Sequence, residues 1–368
     1  MRKSLISGLM LFSAFAVGAT FAGEEGGGDK RLAQKILGNP SCATSGCHGG
    51  AGPVHGVVHK FTREDPHARA YATLTSARSA RMGEALGISD VTTSSSCTAC
   101  HAPAANVPAE RRAEDLRIED GVGCASCHAS TESWLRTHTR PDLSHAQKVA
   151  AGMRDLRSAY ARANACVACH QAIDPVLVET GRHPRLIFEL DGQLAAEPPH
   201  WRAAHGHDGA KTWLVGQAVA WREAAAARAV GLDAGPGAAE RERALAWLVG
   251  RAADAAGLGI DKLDTPDAVA RRAEAEWPAG GGEAALRGLA AGAEGFRDAG
   301  LSRLERAYRA ERLVLGLDRL LAAWPERAKA TAAGPALDAL FAAAQSVPDF
   351  APEEFARRLD AFAAALGG

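Results

Sequence analysis

Residues 121–128 of this 368-residue chain read Gly-Val-Gly-Cys-Ala-Ser-Cys-His, and their last five positions form the motif Cys-x-x-Cys-His. The motif occurs twice more, at Cys97-Thr98-Ala99-Cys100-His101 and at Cys166-Val167-Ala168-Cys169-His170. A longer version, with four residues between its cysteines, is Cys42-Ala43-Thr44-Ser45-Gly46-Cys47-His48. The four motifs use all eight cysteines of the chain.

Each motif is typical of the covalent attachment of a c-type haem. Two thiols on a tight turn can each add to one vinyl group of a porphyrin, and the adjacent His then lies beneath the iron as its proximal ligand. A redox disulfide or a zinc site would also use Cys pairs, but neither needs a His directly after every second Cys. The sequence therefore predicts four covalent haems. Their thioether residues are Cys42, Cys47, Cys97, Cys100, Cys124, Cys127, Cys166 and Cys169, and their proximal ligands are His48, His101, His128 and His170.

The chain has more histidines than the four proximal positions require. Nine of its thirteen His remain as candidates for the distal side of an iron: His55, His59, His67, His138, His145, His183, His200, His205 and His207. Methionine, the other common axial ligand, is scarce, because only Met82 and Met153 lie beyond the N-terminal segment. We therefore expect bis-His ligation for most irons, and lower haem potentials than Met ligation gives.

Charge and composition exclude some classes of function. The net charge is -1, from 42 basic and 43 acidic residues, so no overall field attracts the chain to nucleic acid or to an anionic membrane. Only 5% of residues are aromatic. Four haems are large apolar bodies that can fill the centre of the Cys- and His-rich region in place of aromatic side chains. No Cys or His follows His207.

The N-terminus is typical of an export signal. Arg2 and Lys3 precede an uncharged apolar run that ends at Phe21, and small residues lie near Ala22. This pattern predicts a signal peptide over residues 1–22, cleaved after Ala22, followed by a flexible lead-in over 23–39. We expect a periplasmic protein whose mature form is not in the membrane. An uncleaved membrane anchor is the alternative, since the run is long enough to span a bilayer.

The rest of the chain divides into two parts, and its fold class is predicted to be mainly α. Residues 40–208 are expected to form a multihaem cytochrome c domain with little regular structure apart from helical stretches such as 68–86 and 147–163. Residues 209–368 are expected to form an all-α bundle of five or six helices, which either caps the haem domain or docks a partner. The predicted helical segments are 213–230, 240–256, 301–324, 336–344 and 353–366, and the best strand candidate is Leu186 to Leu190.

The haem-rich part resembles the multihaem cytochrome c family typified by cytochrome c-554, a tetrahaem electron carrier. The residues that carry the likeness are those at 65–71, 121–128 with His138 downstream, and 181–186, and it covers about residues 40–208. The resemblance implies that His67 is distal to the iron of His170 and that His138 is distal to the iron of His48. His183 is the expected distal ligand of the His128 iron. It also implies that the iron of His101 could lack a strong distal ligand.

Two functions follow from these expectations. The first is a periplasmic tetrahaem c-type cytochrome that relays electrons between redox partner proteins through bis-His haems, with no role for nucleic acid. The second is a haem enzyme in which the iron of His101 is open and acts on nitric oxide, nitrite or hydroxylamine. His205 or His207 would then supply protons.

Overall fold

The computed structural model describes residues 34–200, 208–233, 235–261, 264–325 and 332–367. Within these ranges regular structure is almost entirely helical, and the β structure is one isolated bridge between Ile36 and Arg112. The predicted mainly α fold is thus confirmed. None of the helices in these ranges is long and apolar enough to cross a membrane. The predicted signal peptide, residues 1–22, lies outside the described residues.

The haem-rich region consists of short helices joined by turns. Its α-helices are α1 (Asn39–Cys42), α2 (Gly52–His55), α3 (Val57–Glu64), α4 (Ala70–Leu74), α5 (Ala77–Leu86), α6 (Ser95–His101), α7 (Cys124–His128), α8 (His145–Ala150), α9 (Ala159–His170), α10 (Pro175–Glu179) and α11 (Leu190–Ala196). Five 3-10 turns lie between them at Pro66–Arg69, Pro103–Asn106, Ala109–Arg111, Ile118–Asp120 and Thr137–Thr139. His101, His128 and His170 each end a helix, so three of the four attachment turns lie on helices, whereas His48 lies in a turn after α1.

Two predicted helical stretches are interrupted. The stretch 68–86 is broken at Ser76, whose side chain accepts a hydrogen bond from Ser79 N and so starts α5 anew. The stretch 147–163 is divided by a loop, and α9 begins after Ser158, whose side chain accepts from Ala161 N. Both serines are strong helix caps, which apolar periodicity does not register. The strand candidate Leu186 to Leu190 is wrong, since residues 184–189 form an irregular segment.

The end of the predicted lead-in is held in the fold. Ile36 is 1% exposed, its N donates to Arg111 O at 2.8 Å, and its O accepts from Ala113 N at 3.1 Å. Ile36 joins Val107 and Ala125 in a small buried apolar cluster. Residues 34–39 therefore belong to the haem-rich region.

The C-terminal region contains eight helices in its described part. They are α12 (Gly209–Ala229), α13 (Ala238–Ala256), α14 (Pro266–Ala275), α15 (Gly281–Ala290), α16 (Glu294–Arg297), α17 (Arg303–Ala322), α18 (Ala333–Ala343) and α19 (Pro352–Gly367). The five predicted segments correspond to α12, α13, α17, α18 and α19, and the prediction of five or six helices was too low. The predicted segments do not include α14, in which Pro266 occupies the first turn after the cap residue Thr265, a position that proline tolerates.

The C-terminal helices enclose one apolar core that extends into the haem-rich region. Trp213 and Phe355 are fully buried in it, and so are Ala163 of α9 and Phe188. Helix α12 packs against both α9 and α11. A side chain at Gly216 of α12 would place its Cβ 2.7 Å from Leu190 Cβ, so this glycine allows α11 to approach closely. The helical bundle thus fixes the helix that carries the fourth motif.

Candidate haem-binding site

Three motif histidines each face a histidine from another part of the chain. The ring centres are 6.2 Å apart for His48 and His138, 5.9 Å for His67 and His170, and 6.3 Å for His101 and His183. A metal–imidazole nitrogen bond is about 2 Å long and the ring centre lies about 1 Å beyond it, so two imidazoles on opposite sides of one iron have centres about 6 Å apart. The three pairs therefore have the spacing of bis-His haem ligation.

In four of these six rings Nδ1 contacts a protein oxygen atom and Nε2 is left for iron, as iron ligation requires. An oxygen atom lies 2.8–3.3 Å from Nδ1 in four of these rings: Asp65 Oδ1 for His67, Ala70 O for His101, Trp134 O for His138 and Pro184 O for His183. Such an acceptor holds the ring proton on Nδ1 and leaves the Nε2 lone pair for a metal.

The proximal imidazoles are kept neutral. Burial lowers the pKa of His48, His101 and His170 below the usual value for histidine. Burial, followed by the influence of His200 and Arg154, lowers the pKa of His128 to about 4. Only a neutral imidazole can ligate a metal, so these residues are in the form that binds iron.

The first motif keeps its geometry despite its longer loop. His48 N donates to Cys42 O at 3.1 Å and Cys47 N donates to Thr44 O at 2.9 Å. These turn hydrogen bonds bring Cys42, Cys47 and His48 together around the two extra residues. The third motif is held to the first because Cys124 N donates to Asn39 Oδ1 at 3.0 Å.

The glycine that opens the stretch 121–128 positions a distal histidine. Gly121 has φ 66°, a left-handed conformation that favours glycine, and a Cβ there would lie 2.8 Å from His67 O. The neighbouring Val122 N donates to the same His67 O at 3.1 Å. The segment that leads into Cys124 therefore supports the backbone of His67.

His183 lies beside His101, whereas we expected it beside His128. The turn that carries it is formed by Gly181 N donating to Val176 O and His183 N donating to Leu177 O, at 3.1 and 2.9 Å. A Cβ at Gly181 would lie 2.8 Å from Leu86 Cδ1, so this turn packs closely against the end of α5. The His183 ring lies 6.3 Å from that of His101, so the fold offers a distal imidazole at the iron that we expected could be open.

Around His128, a different set of side chains comes together. Arg154 donates through Nη1 to Ser126 O at 3.0 Å and to Cys127 O at 2.8 Å, which holds the attachment turn. The Trp134 ring centre lies 6.5 Å from that of His128. Sequence reasoning had not singled out Arg154, because an isolated Arg carries no motif.

A cluster of acidic groups and one His lies between the third and fourth motifs. One ligand atom from each of Asp65, Glu197 and His200 lies within 4.8 Å of the others. Asp65 is completely buried. Burial and the adjoining Asp65 carboxylate raise the pKa of Glu197 to about 8. Asp65 precedes the quoted His67 by two residues, but its role could not be inferred from the sequence because His200 is far from it along the chain.

Three other histidines among the described residues make contacts with protein oxygen atoms and do not face a motif histidine. His59 Nε2 lies 2.9 Å from Gly49 O, and His145 Nε2 lies 2.8 Å from Asp155 Oδ1. Since Nε2 is the nitrogen left for iron in the pairs above, these two contacts are structural. His55 is exposed, with Nδ1 2.6 Å from Cys47 O. His205 and His207 lie outside the described residues.

The eight cysteines are free thiols, so none of the motifs is closed by a disulfide. Thiols of different motifs nevertheless meet, because Cys42 hydrogen-bonds Cys124 and Cys100 hydrogen-bonds Cys169. Burial, with Cys127 nearby, raises the pKa of Cys166 to about 12. A thiol this hard to ionise is unlike the activated thiolate of a redox or zinc site.

A known family matches part of the chain. Residues 41–129, which hold the first three motifs and His67, match the family model described as cytochrome c554 and c-prime. This region is cytochrome c554-like. No curated protein and no solved structure matches the chain.

The c554-like region identifies the chain as a c-type cytochrome with covalently bound haem iron. The free Cys pairs and the facing imidazoles fit that group. The match ends at residue 129, so it does not cover the fourth motif, His138, His183 or the helical region.

Proposed function

We propose that this c-type cytochrome binds four haems and relays electrons between redox partner proteins after export to the periplasm. The observation that carries the proposal is the 5.9–6.3 Å spacing of the three facing His pairs. When bound, a haem with two axial imidazoles supplies an iron that changes by one electron with little rearrangement. Filled axial positions also exclude substrates, which suits a carrier.

The contacts between motifs support an order for the relay. Each motif would carry its haem on its two cysteines, so motifs whose cysteines meet would bring their haems close to one another. The first and third motifs meet through Cys42 and Cys124, and the second and fourth through Cys100 and Cys169. Cys127 of the third motif lies near enough to Cys166 of the fourth to contribute, after burial, to the raised pKa of its thiol. The order of the haems along the relay is then first, third, fourth, second.

One side chain and several backbone groups of this region hold the ligands in place. Asp65, Ala70, Trp134 and Pro184 fix the Nδ1 protons, and Gly121 supports the His67 backbone. The helical region contributes by anchoring α9, which carries Cys166, Cys169 and His170. This packing favours the role of a cap over that of a separate docking module.

Two measurements test the proposal. The mass of the mature protein is expected to exceed that of the chain after Ala22 by four haems, and a mass short by one haem would point to the long-loop motif at Cys42. Because three of the four irons would have two facing imidazoles, the dithionite-reduced protein is expected to bind carbon monoxide at no more than one haem. Carbon monoxide binding at two or more haems would contradict a pure carrier and favour an enzyme.

A further inference from the structure

A buried carboxyl group that ligates no haem lies where the two regions meet. Glu189 is 9% exposed and directly precedes α11. Its Oε2 accepts a hydrogen bond from Gly192 N, whereas its buried Oε1 has no hydrogen-bond partner among the described residues. A buried oxygen that accepts no hydrogen bond is better tolerated on a neutral acid than on a carboxylate. Burial accordingly raises the pKa of Glu189 to about 7, so this group can gain or lose a proton near neutral pH.

Two short contacts connect Glu189 to the proximal ligand of the fourth motif. Gln193 N donates to Glu189 O at 2.9 Å, and the Glu189 carboxylate accepts from Gly192, the residue before Gln193. The Gln193 side-chain amide lies 3.3 Å from Nδ1 of His170. Glu189 and Gln193 are one helical turn apart, which is about 6 Å. Because charges in a buried setting are poorly screened, a change of charge at the haem of His170 changes the affinity of Glu189 for a proton.

Helix α17 presents three charged side chains to this carboxyl. Arg319 is paired with Asp318 through Nη2 at 2.5 Å, and Nη1 of the buried Arg312 lies 3.4 Å from Phe188 O. Both arginines are directed to these other acceptors, and in the described part of the chain no ion pair holds Glu189 ionised. The Asp318 side chain is 38% exposed, so water reaches the edge of the site and can exchange a proton with it.

Helices α9, α11 and α12 complete the surroundings of the site. Asp191 of α11 is buried and raises the pKa of Glu189 further, and it interacts in turn with Arg162 of α9. Helix α12 packs on α11 and places Gln217 here, whose Nε2 donates to Phe188 O at 3.2 Å. Burial and the mixed charges around it therefore leave Glu189 free to change its protonation state.

We propose that Glu189 binds a proton when the haem of the fourth motif accepts an electron, and releases the proton when the electron leaves. The inference rests on the proposed relay and adds proton transfer to it. One electron passes from the reduced redox partner to the haem iron, which goes from ferric to ferrous. One proton passes from water to the Glu189 carboxylate, which becomes the neutral acid. The charge of the electron is then balanced within the protein interior.

The test is a spectroelectrochemical titration of the full-length holoprotein between pH 5 and pH 8, with its haem count verified by mass. If reduction strengthens proton binding at Glu189 on the order of tenfold, the potential of one haem falls by about 59 mV in total as pH rises across this range. Glu189→Gln keeps a hydrogen-bond acceptor and cannot ionise, so this haem should lose the pH dependence and keep the potential that wild type has at pH 5. Glu353→Gln, at an exposed position of α19, is the matched control and should titrate as wild type.

A second variant and a second readout distinguish proton binding from a structural role. Glu189→Asp retains an ionisable carboxyl, so the pH dependence should persist with a shifted midpoint, which a structural role does not predict. Infrared difference spectra of reduced minus oxidised wild type should show the band of a protonated carboxyl group. This band should shift in frequency in Glu189→Asp and be absent in Glu189→Gln.

The outcomes separate this inference from the proposed relay. Potentials that are independent of pH in wild type, or that change equally with pH in Glu189→Gln, would show that Glu189 binds no proton on reduction, while the relay stands. A potential shifted by the same amount at every pH in Glu189→Gln would indicate a packing change and would also overturn the inference. Carbon monoxide binding at two or more haems would instead contradict the relay, whereas the effect of Glu189→Gln on the pH dependence would remain measurable.

Discussion

The haem-rich region, residues 34–200, and the helical region, residues 208–367, fill their interiors by different means. In the helical region Leu248 and Phe355 are completely buried among other apolar side chains. In the haem-rich region a separate apolar cluster contains only Ile36, Val107 and Ala125 as its buried members, and the convergent groups are thiols and imidazoles. A region that lacks its own apolar core depends on its cofactor for stability.

The largest difference between the two regions is expected when haem attachment is prevented. When the full chain is made without thioether formation, we expect the haem-rich region to remain unfolded and the helical region to keep its fold, because haem insertion and folding are coupled only in the first. Limited proteolysis with mass analysis measures this, and a resistant fragment should contain residues 208–367. The holoprotein is the control. Equal resistance of both regions in the haem-free chain would contradict the comparison.

The converse variant truncates a side chain in the apolar core of the helical region and leaves the haems in place. Leu248 in α13 is 0% exposed, so Leu248→Ala should lower the free energy of unfolding of the helical region by about 2–5 kcal/mol. Leu232→Ala is the matched control, because Leu232 is 45% exposed and its truncation should have little effect. Thermal unfolding followed by circular dichroism measures the loss. The haem absorption spectrum should not change below the unfolding transition of the helical region. A change there would show that the truncation of Leu248 also disturbs the haem-rich region.

A third prediction concerns a buried carboxyl where the two regions meet. Burial raises the pKa of Glu189 to about 7, although Gly192 N donates to it. The folded state therefore holds this proton more tightly than the unfolded state, and stability falls as pH rises from about 4.5 to about 7, by at most about 3 kcal/mol.

Glu189→Gln should remove this part of the pH dependence, because an amide keeps the acceptor and cannot ionise. Urea unfolding at pH 5 and pH 8 measures the difference. The control is Glu353→Gln at an exposed position of α19, where the slope with pH should stay as in wild type. An unchanged slope in Glu189→Gln would show that Glu189 is not responsible for it.

The smallest expected effect concerns a contact between α11 and the proximal histidine of the fourth motif. The Gln193 amide of α11 lies 3.3 Å from His170 Nδ1. When Nε2 binds iron the ring proton is on Nδ1, so the amide must turn to offer its oxygen as acceptor. Gln193→Leu removes that acceptor and should raise the potential of one haem by on the order of tens of millivolts, whereas Gln193→Glu should lower it.

Spectroelectrochemical titration of the holoprotein measures these shifts. Gln345→Leu, at an exposed position beyond α18, is the control and should leave all potentials unchanged. A shift of the same sign in Gln193→Leu and Gln193→Glu would indicate a packing change and contradict a hydrogen bond to His170.

Much of the site could be predicted because its chemistry is local. A Cys-x-x-Cys-His motif brings two thiols and an imidazole together within five residues, whatever the rest of the fold does. The prediction of long helices was good where periodicity was strong, as in α12, α13 and α17. It failed at Ser76, Ser158 and Pro266, where a capping hydroxyl or a proline at the first turn sets the boundary.

The distal side of each iron was harder to assign. The family resemblance paired His67 with His170 and His138 with His48, and these rings lie together in the structure. It gave no guide for His183, which lies beside His101 with ring centres 6.3 Å apart. Asp65, Arg154 and Gln193 were not recognised at all, since their partners are distant in sequence.

The sequence by itself determined where haem is attached and which four histidines are proximal, because those bonds join neighbours along the chain. Only the tertiary structure decided which distal rings face them, which oxygen atoms orient those rings and which helix anchors the fourth motif. Imidazoles from separate segments reach a spacing of about 6 Å only after the turns and helices between them have packed. A composition of thirteen histidines cannot specify that packing.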